Sequence, residues 1–452
     1  MGFPKGFVWG AAASSYQIEG APREDGKGQS TWDMLCRKPG AIWYGQNAEM
    51  ACDHYHRYEE DVALMKQIGL QAYRLSVAWP RVLPEGAGKV NEKGLAFYDR
   101  LVDALLAAKV APYVTLFHWD YPYELYCRGG WLSPDSSRWF AEYTEAIVKK
   151  LSDRVTVWMT LNEPQCMVGL GMQDGMQAPG LKMALQDILC AGHNVLLAHG
   201  RSVQAIRANA KSKPTVGYAP VGSVYVPASD DPKDVDAARK LMFSVVTKNC
   251  WNNTWWMDPV FLGRYPEDGL KLFADDLPPI RSGDMETINQ PMDFLGVNIY
   301  GGTPARAGAD GKPETAPFKP GHPMTAFKWF VVPEAMYWGP HNYWERYRKP
   351  IIITENGMSG TDWVALDGKV HDPARIDFLS RYLLQLRRAI DEGADVRGYL
   401  QWSLTDNFEW AEGYKERFGL IHVDFVTQKR TLKDSALWYK DVIASNGASI
   451  LI

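Results

Sequence analysis

Three observations predict an α/β chain folded as a single (β/α)8 barrel. Eight short, β-rich apolar runs recur along the sequence, and segments with a 3.6-residue apolar period separate them. No glycine-rich G-x-G-x-x-G turn follows the first run, as an open dinucleotide-binding sheet would require. Strand–helix alternation builds right-handed βαβ units and a parallel sheet. Eight repeats favour the closed TIM-type barrel over an open sheet, and 452 residues suit a barrel with long βα loops at its C-terminal face.

The eight runs are 7–12, 72–79, 111–117, 156–161, 215–220, 294–299, 351–354 and 398–402. Between them, Leu95, Tyr98, Leu101, Val102 and Leu105 fall on one helix face, as do Trp139, Tyr143, Ile147 and Leu151. A third face holds Phe378, Leu379, Tyr382, Leu383, Leu386 and Ile390. In the second run Tyr73, Leu75, Val77 and Trp79 alternate with Ala72, Arg74, Ser76 and Ala78. A barrel strand turns one set towards the helices and the other into a narrow interior, so the small set, with Arg74, is expected inside. The Gly/Pro-rich stretch 301–323 reads as a long βα loop. No linker or repeat interrupts the pattern, so residues 1–452 read as one domain.

Composition narrows the function. Hydrophobic residues are 46% and charged residues 23%, ordinary for a globular chain and unlike a disordered one. Lys+Arg 49 against Asp+Glu 53 gives a net charge of −4, and without a long basic run nucleic acid is not the expected partner. No run of about 20 apolar residues predicts a membrane span. The first residues lack a basic segment followed by an apolar one, so a cytoplasmic location is expected. Cys36, Cys52, Cys127, Cys166, Cys190 and Cys250 form no C-x-x-C pair and read as free thiols. The 18 Trp and 22 Tyr are many. Core packing accounts for most such residues, but sugars also present flat apolar faces to aromatic rings. A homo-oligomer stays open.

In barrels of this kind chemistry sits at the C-terminal strand ends. Gln17 and Glu19 follow the first run, His118-Trp119-Asp120 the third, and Asn162-Glu163-Pro164 the fourth. Asn298-Ile299-Tyr300 close the sixth, and Glu355-Asn356-Gly357 the seventh. Trp402 ends the eighth, followed by Asp406-Asn407-Phe408-Glu409-Trp410. The set has no nucleophile elbow, H-E-x-x-H, P-loop or EF-hand loop. His118 lacks a partner at ligand spacing, so no metal and no cofactor are expected. Glu163 and Glu355 would approach the barrel mouth from opposite sides. Either alone reads as a solvated or salt-bridged glutamate. Together they are the carboxyl pair that glycoside hydrolysis uses.

These residues carry a resemblance. Thr160-Leu161-Asn162-Glu163-Pro164 and Ile353-Thr354-Glu355-Asn356-Gly357 resemble the acid/base and nucleophile motifs of glycoside hydrolase family 1, the β-glucosidase family. Phe7-Val8-Trp9-Gly10, continuing to Ser15-Tyr16-Gln17-Ile18-Glu19-Gly20, resembles its N-terminal segment. Trp402-Ser403-Leu404-Thr405-Asp406-Asn407-Phe408-Glu409-Trp410 resembles its C-terminal sugar-binding segment. The four motifs stand in order across nearly the whole chain. The resemblance implies one glycoside hydrolase catalytic domain, with Glu163 as general acid/base and Glu355 as nucleophile. It implies that Gln17, His118, Asn162 and Glu409 hydrogen-bond the non-reducing sugar, with Trp119 also among the substrate-binding residues. Trp402 would lie beneath that sugar and Trp410 beside it. Tyr300, with Arg74 and Asn298, would hold the nucleophile, and Trp329 would be the platform for the leaving group.

The chemistry adds expectations of its own. Two carboxyls of one type need separated pKa values. An inward Arg74 and a Tyr300 hydroxyl would favour ionised Glu355, while Glu163, near that anion in a dry site, would stay protonated. This predicts a retaining enzyme with carboxyl groups about 5–5.5 Å apart. The expected partner is a small neutral β-glycoside such as cellobiose, a short oligosaccharide or an aryl or alkyl β-glucoside. Glu409 can accept two hydroxyl hydrogen bonds but would repel a phosphate. The phosphoglycosidase branch of the family usually has a small residue and a lysine there, and Lys415 reads as ordinary surface charge. Galactosides and fucosides stay open, and phosphorylated sugars are the disfavoured alternative. A sugar-binding barrel without activity would be expected to lose Glu163 or Glu355. Two departures leave the leaving-group preference open: Gln165-Cys166 follows the acid/base motif, where many relatives have Trp in the first position, and Gln177 stands where His is common. Cys166 is expected to confer modest sensitivity to thiol reagents.

Overall fold

The computed structural model describes residues 2–450. Among these, β1 (Val8–Ala12), β2 (Ala72–Ser76), β3 (Ala111–Phe117), β4 (Val157–Asn162), β5 (Thr215–Ala219), β6 (Phe294–Asn298), β7 (Ile351–Asn356) and β8 (Val396–Trp402) close a barrel in sequence order. Every neighbouring pair is parallel, and β8 returns to β1 with Ala12 opposite Trp402. The predicted α/β class and closed topology hold.

Within Ala72–Ser76 the alternation sorts as expected, but Ala78, expected inside, lies beyond the strand end and joins the outer cluster. Tyr73 and Leu75 join the large apolar cluster between barrel and helices. Ala72 joins a smaller cluster, with Ala12, Met159, Ala219, Ile352 and Leu400, that fills the barrel interior. The helices Glu92–Ala107, Ser136–Leu151 and Pro373–Asp391 bury the predicted faces, except that Ile390 is only partly covered.

Several expectations need correcting. β2 stops at Ser76, and Trp79 opens a short helix, Trp79–Val82, with Pro80 in its first turn. A proline there gives up a backbone N–H that has no helical partner anyway. β4 and β7 run past the predicted ends to include Asn162 and Asn356, because these polar residues complete the sheet pairing and are buried. The stretch 301–323 is not wholly a loop. Gly302–Ala307 pairs with Val224–Pro227 and with Pro313–Thr315 in a small separate sheet, which buries Ala305 and Val226.

Two irregularities prepare the mouth of the barrel. β4 loses register between Met159 and Asn162, and β7 loses register between Ile353 and Glu355. Such bulges re-aim the side chains that follow them. Beyond the strand ends, Trp119, Glu163 and Trp410 adopt φ of 80, 41 and 53, in the left-handed region that L residues rarely occupy. That cost is borne where side chains converge. Among the described residues no helix is long and apolar enough to cross a membrane.

Candidate active site

The strand ends surround a cavity of about 890 Å³, whose lining includes Glu163, Glu355, Glu409, Tyr300, Trp402 and Trp410. His118, Trp119 and Trp329 line the same cavity. Gln17, Arg74, Asn162 and Asn298 stand behind that lining, each fully buried and each hydrogen-bonded to a residue within it. The sequence-predicted residues therefore form one assembly, in nine lining and four supporting positions. Glu19, noted after the first run, does not join them. It is buried against Arg81 Nε at 2.9 Å and Tyr98 Oη at 2.6 Å.

Arg74 projects into the barrel from β2. Its guanidinium donates to Glu355 Oε1, to Asn162 Oδ1 at 2.6 Å and to the Thr354 carbonyl at 3.2 Å, while Nε donates to Thr115 Oγ1 at 3.0 Å. On its other oxygen, Glu355 accepts the Tyr300 hydroxyl at 2.6 Å. Glu163 has a weaker set of partners. Asn298 Nδ2 donates to its Oε1 at 2.8 Å, with Asn298 Oδ1 accepting Thr354 Oγ1 at 2.6 Å, and the Cys166 thiol adds a weak donor.

The two carboxyls are therefore unlike. Burial, then the neighbouring Glu355 charge, pushes the Glu163 carboxyl up to about 7. Burial also raises Glu355, but Arg74, Tyr300 and Asn298 all oppose that rise. A guanidinium and a phenol donor stabilise an anion far better than an amide and the weak Cys166 thiol donor do. Glu355 is the carboxyl that ionises first.

A second group of residues sits at the far end of β8. Gln17 Nε2 reaches Asn407 Oδ1 at 3.0 Å, the Phe408 carbonyl at 3.0 Å and Glu409 Oε2 at 3.3 Å. Ser14 Oγ donates to Gln17 Oε1 at 2.7 Å, which fixes the amide orientation. Burial, then the charge of Glu355, raises the Glu409 carboxyl well above its usual range. Burial, with Arg74 nearby, holds His118 well below its usual range, so its ring is neutral. His118 Nε2 faces the Asn162 amide at 3.1 Å, and that amide donates because its oxygen is already taken by Arg74. Trp410 is wedged against Trp32 at 4.6 Å and Trp119 at 4.7 Å between ring centroids. The Trp119 indole N–H is spent on the Asn162 carbonyl at 3.0 Å. Trp329 stands against Tyr300 at 5.2 Å and Phe327 at 4.4 Å.

Cys166 lines the cavity beside Glu163. Burial, then the Glu163 charge, pushes its thiol well above the usual range. A thiol is nucleophilic only as thiolate, so attack by alkylating reagents at neutral pH is slow.

The sequence does not reveal what holds the Glu409 segment in place. Asp406, in that segment, is fully buried. It accepts Lys433 Nζ at 2.7 Å, Arg417 Nη1 at 2.7 Å and the Gly419 N–H at 3.0 Å. Lys433, also fully buried, reaches Asp362 at 2.5 Å, in the segment that follows β7. One ion network thus ties together the chain after β7, the chain after β8 and the C-terminal hairpin Ile421–Val423 with Arg430–Leu432. Nothing in the sequence near Lys433 marks it, because its partners lie 27 and 71 positions away.

Comparison with known proteins agrees with this geometry. The model of Glycosyl hydrolase family 1 matches residues 1–448. The chain is 41% identical to β-glucosidase A of Thermotoga maritima over 447 residues, covering 98% of each protein. It is 42% identical to a 1,4-β-D-glucan glucohydrolase of Thermotoga neapolitana over 450 residues, 98% of this chain and 99% of that one. The solved family 1 β-glucosidase from Thermotoga maritima superposes with a TM-score of 0.91 at 41% identity, over 99% of each chain.

The ion network supports a specific expectation. Asp406→Asn removes the carboxylate shared by Lys433 and Arg417, and loss of one partner from a buried pair costs about 3–5 kcal/mol. Glu409 and Gln17 lose their anchor, while Glu163 and Glu355 keep every partner. Steady-state kinetics should show a several-fold rise in KM with a smaller fall in kcat, together with a lower thermal midpoint.

Proposed function

The chain belongs to Glycosyl hydrolase family 1, and from that premise we propose that it is a retaining β-glucosidase working by double displacement. In this reading Glu355 is the nucleophile and Glu163 the acid/base, in one catalytic unit. The observation that carries it is the inequality of two buried carboxyls in one cavity: Glu355 bonded to a guanidinium and a phenol, Arg74 and Tyr300, and Glu163 only to an amide and a weakly donating thiol, Asn298 and Cys166.

In the first step a Glu355 oxygen attacks the anomeric carbon. The glycosidic bond breaks as Glu163 passes its proton to the departing oxygen. A glycosyl ester on Glu355 results, and the anion that raised the Glu163 carboxyl is gone. Glu163, now ionised, takes a proton from water as the water oxygen attacks the anomeric carbon. Glu355 leaves as a carboxylate and Glu163 is again protonated. Two inversions return the original configuration. Acid, base and nucleophile all come from the two carboxyls. The shared surroundings of the pair, with Asn298 acting on both, support a spacing near the 5–5.5 Å of retaining enzymes.

Neutral β-glucosides are the substrates this reading favours. Glu409, backed by Gln17, and neutral His118 supply acceptors and donors for sugar hydroxyls, and Trp402 offers an apolar face. A phosphate in this cavity would be repelled by the ionised Glu355. Lys415 offers no remedy, because it pairs with Glu412 and lies 4.3 Å from the ring centroid of Trp43. The relatives are named for glucosides and glucans, which supports glucose over galactose or fucose in the inner site.

Proton NMR of an aryl β-D-glucoside digest tests the reading. β-Glucose should appear before mutarotation mixes the anomers, and α-glucose first would overturn it. The pH profile provides a second test. Glu163 must be protonated, so kcat/KM should be present below about 7 and be lost as pH rises through that value. Glu355 must be ionised, so activity should also fall on the acid side. In Glu163→Ala the basic limb should vanish for an aryl glucoside whose leaving group needs no proton.

A further inference from the structure

Asp120, which follows His118 and Trp119 just past the end of β3, takes no part in the cavity lining and is 1% exposed. Its surroundings are poor for an acid. Ser15 Oγ donates to Oδ2 at 2.9 Å, and among the described residues nothing bonds the buried Oδ1. Glu19 and Lys27 line a small cavity with Asp120, but Glu19 is spent on Arg81 and Tyr98, and Lys27 Nζ lies 3.6 Å from Asp33. Burial pushes the Asp120 carboxyl up to about 7. A buried acid with one hydroxyl donor costs stability rather than adding to it, so packing alone does not account for Asp120.

The acid ends a chain of hydroxyls with a fixed direction. The Ser15 backbone N–H donates to Ser76 Oγ at 2.7 Å, and the Ser76 hydroxyl donates to Ser15 Oγ at 3.0 Å. Ser15 Oγ in turn donates to Asp120. Each hydroxyl gives its single proton onward, so the chain needs an acceptor at its end. Ser76 ends β2, and Ser15 opens a short helix, Ser15–Ile18, that carries Gln17. Two bonds clamp this helix to the chain after β8. The Phe408 N–H donates to the Gln17 backbone carbonyl at 3.1 Å, and Gln17 Nε2 donates to the Phe408 carbonyl at 3.0 Å. Glu409 is the next residue. On the other side, the Tyr121 N–H donates to the Trp119 carbonyl at 2.9 Å, a tight turn centred on Asp120. Trp119 has φ of 80, and a residue so strained keeps its conformation only where its surroundings over-determine it. The Asn162 carbonyl holds its indole, and the Ser15–Asp120 bond holds the chain beside it.

We propose that Asp120 is a positioning residue for the glucosyl unit: through Ser15 it fixes the loop that presents His118 and Trp119 against the helix that holds Glu409, and so sets the fit of the sugar between them. This rests on the β-glucosidase reading of the inner site. Asp120 bonds to none of the groups that hold Glu163 or Glu355, so it acts on sugar binding more than on bond breaking. Reacting and binding groups need support that locks their geometry, and a tie between two loops supplies it without touching the substrate.

The test measures kcat and KM for an aryl β-D-glucoside, with the thermal midpoint, in the unmodified enzyme and in Asp120→Ala, Asp120→Asn, Ser15→Ala and the double variant Asp120→Ala/Ser15→Ala. Asp120→Ala removes the acceptor, Ser15→Ala removes the donor, and Asp120→Asn keeps an acceptor of the same shape. In Asp120→Ala and in Ser15→Ala KM should rise about tenfold while kcat stays within about threefold, the scale of one lost positioning bond. Ser15→Ala loses one oxygen atom and makes the test without altering Asp120. The double variant should have a KM no higher than the single ones, because all three lack the same bond. Asp120→Asn should bring KM back close to that of the unmodified enzyme. A lower thermal midpoint with KM unmoved in both single variants would mark a purely structural acid and overturn this proposal alone. Effects on KM that multiply in the double variant would overturn the route through Ser15. Absence of aryl β-glucoside turnover by the unmodified enzyme would overturn the glucosidase reading and this proposal with it.

Discussion

A buried guanidinium holds this molecule's chemistry together. Arg74 stands in the barrel interior with its donors directed to Glu355, Asn162, Thr115 and the Thr354 carbonyl. A buried charge is tolerated only when paired and fully hydrogen-bonded. Arg74 meets that condition by drawing on β2, β3, β4 and β7 at once. Through Asn162 the same group fixes His118, and through Glu355 it sets which carboxyl is ionised. The small residues beside it, Ala72 and Ala12, leave the interior wide enough for this side chain. The barrel positions Arg74, and Arg74 makes two chemically identical residues different.

From that difference follows the division of the cavity. The inner end is built on strand ends and locked by buried polar contacts, including the Ser14–Gln17 and Thr354–Asn298 pairs. Rigid elements hold reacting groups to the tolerance that catalysis needs. The outer end is built on long connections, those carrying Met176, Val246, Trp251 and Trp329. Loops tolerate change that strands do not, so the inner end is constrained while the outer wall is free to differ between relatives.

Much of this was legible in the sequence. The alternation of small and large residues in β2 correctly placed Arg74 inside, because a narrow barrel leaves no other arrangement. The strand-end positions of Glu163 and Glu355 mark the mouth in the sequence itself. Other features left no local signal. The register shifts in β4 and β7 depend on pairing with neighbouring strands, and the left-handed φ of Glu163, Trp119 and Trp410 on tertiary contacts. The small sheet within 301–323 forms because Val224–Pro227, distant in sequence, supplies its partner strand. The Asp406–Lys433–Asp362 network joins three separated segments, and single residues of ordinary type do not reveal such partners. Gln17 and Asn162 are fully buried behind the cavity lining, one beside Glu409 and the other beside His118, a layering that depends on tertiary packing.

The central claim is that Glu355, kept ionised by Arg74 and Tyr300, forms the covalent bond to the sugar. The most direct measurement is to incubate the enzyme with an activated 2-deoxy-2-fluoro-β-glucoside, digest it, and locate the label by mass spectrometry. The account predicts time-dependent inactivation with one sugar bound, on the peptide containing Glu355 and at that residue. A label on Glu163 or elsewhere, or full activity with no label while the ordinary glucoside is still hydrolysed, would contradict it.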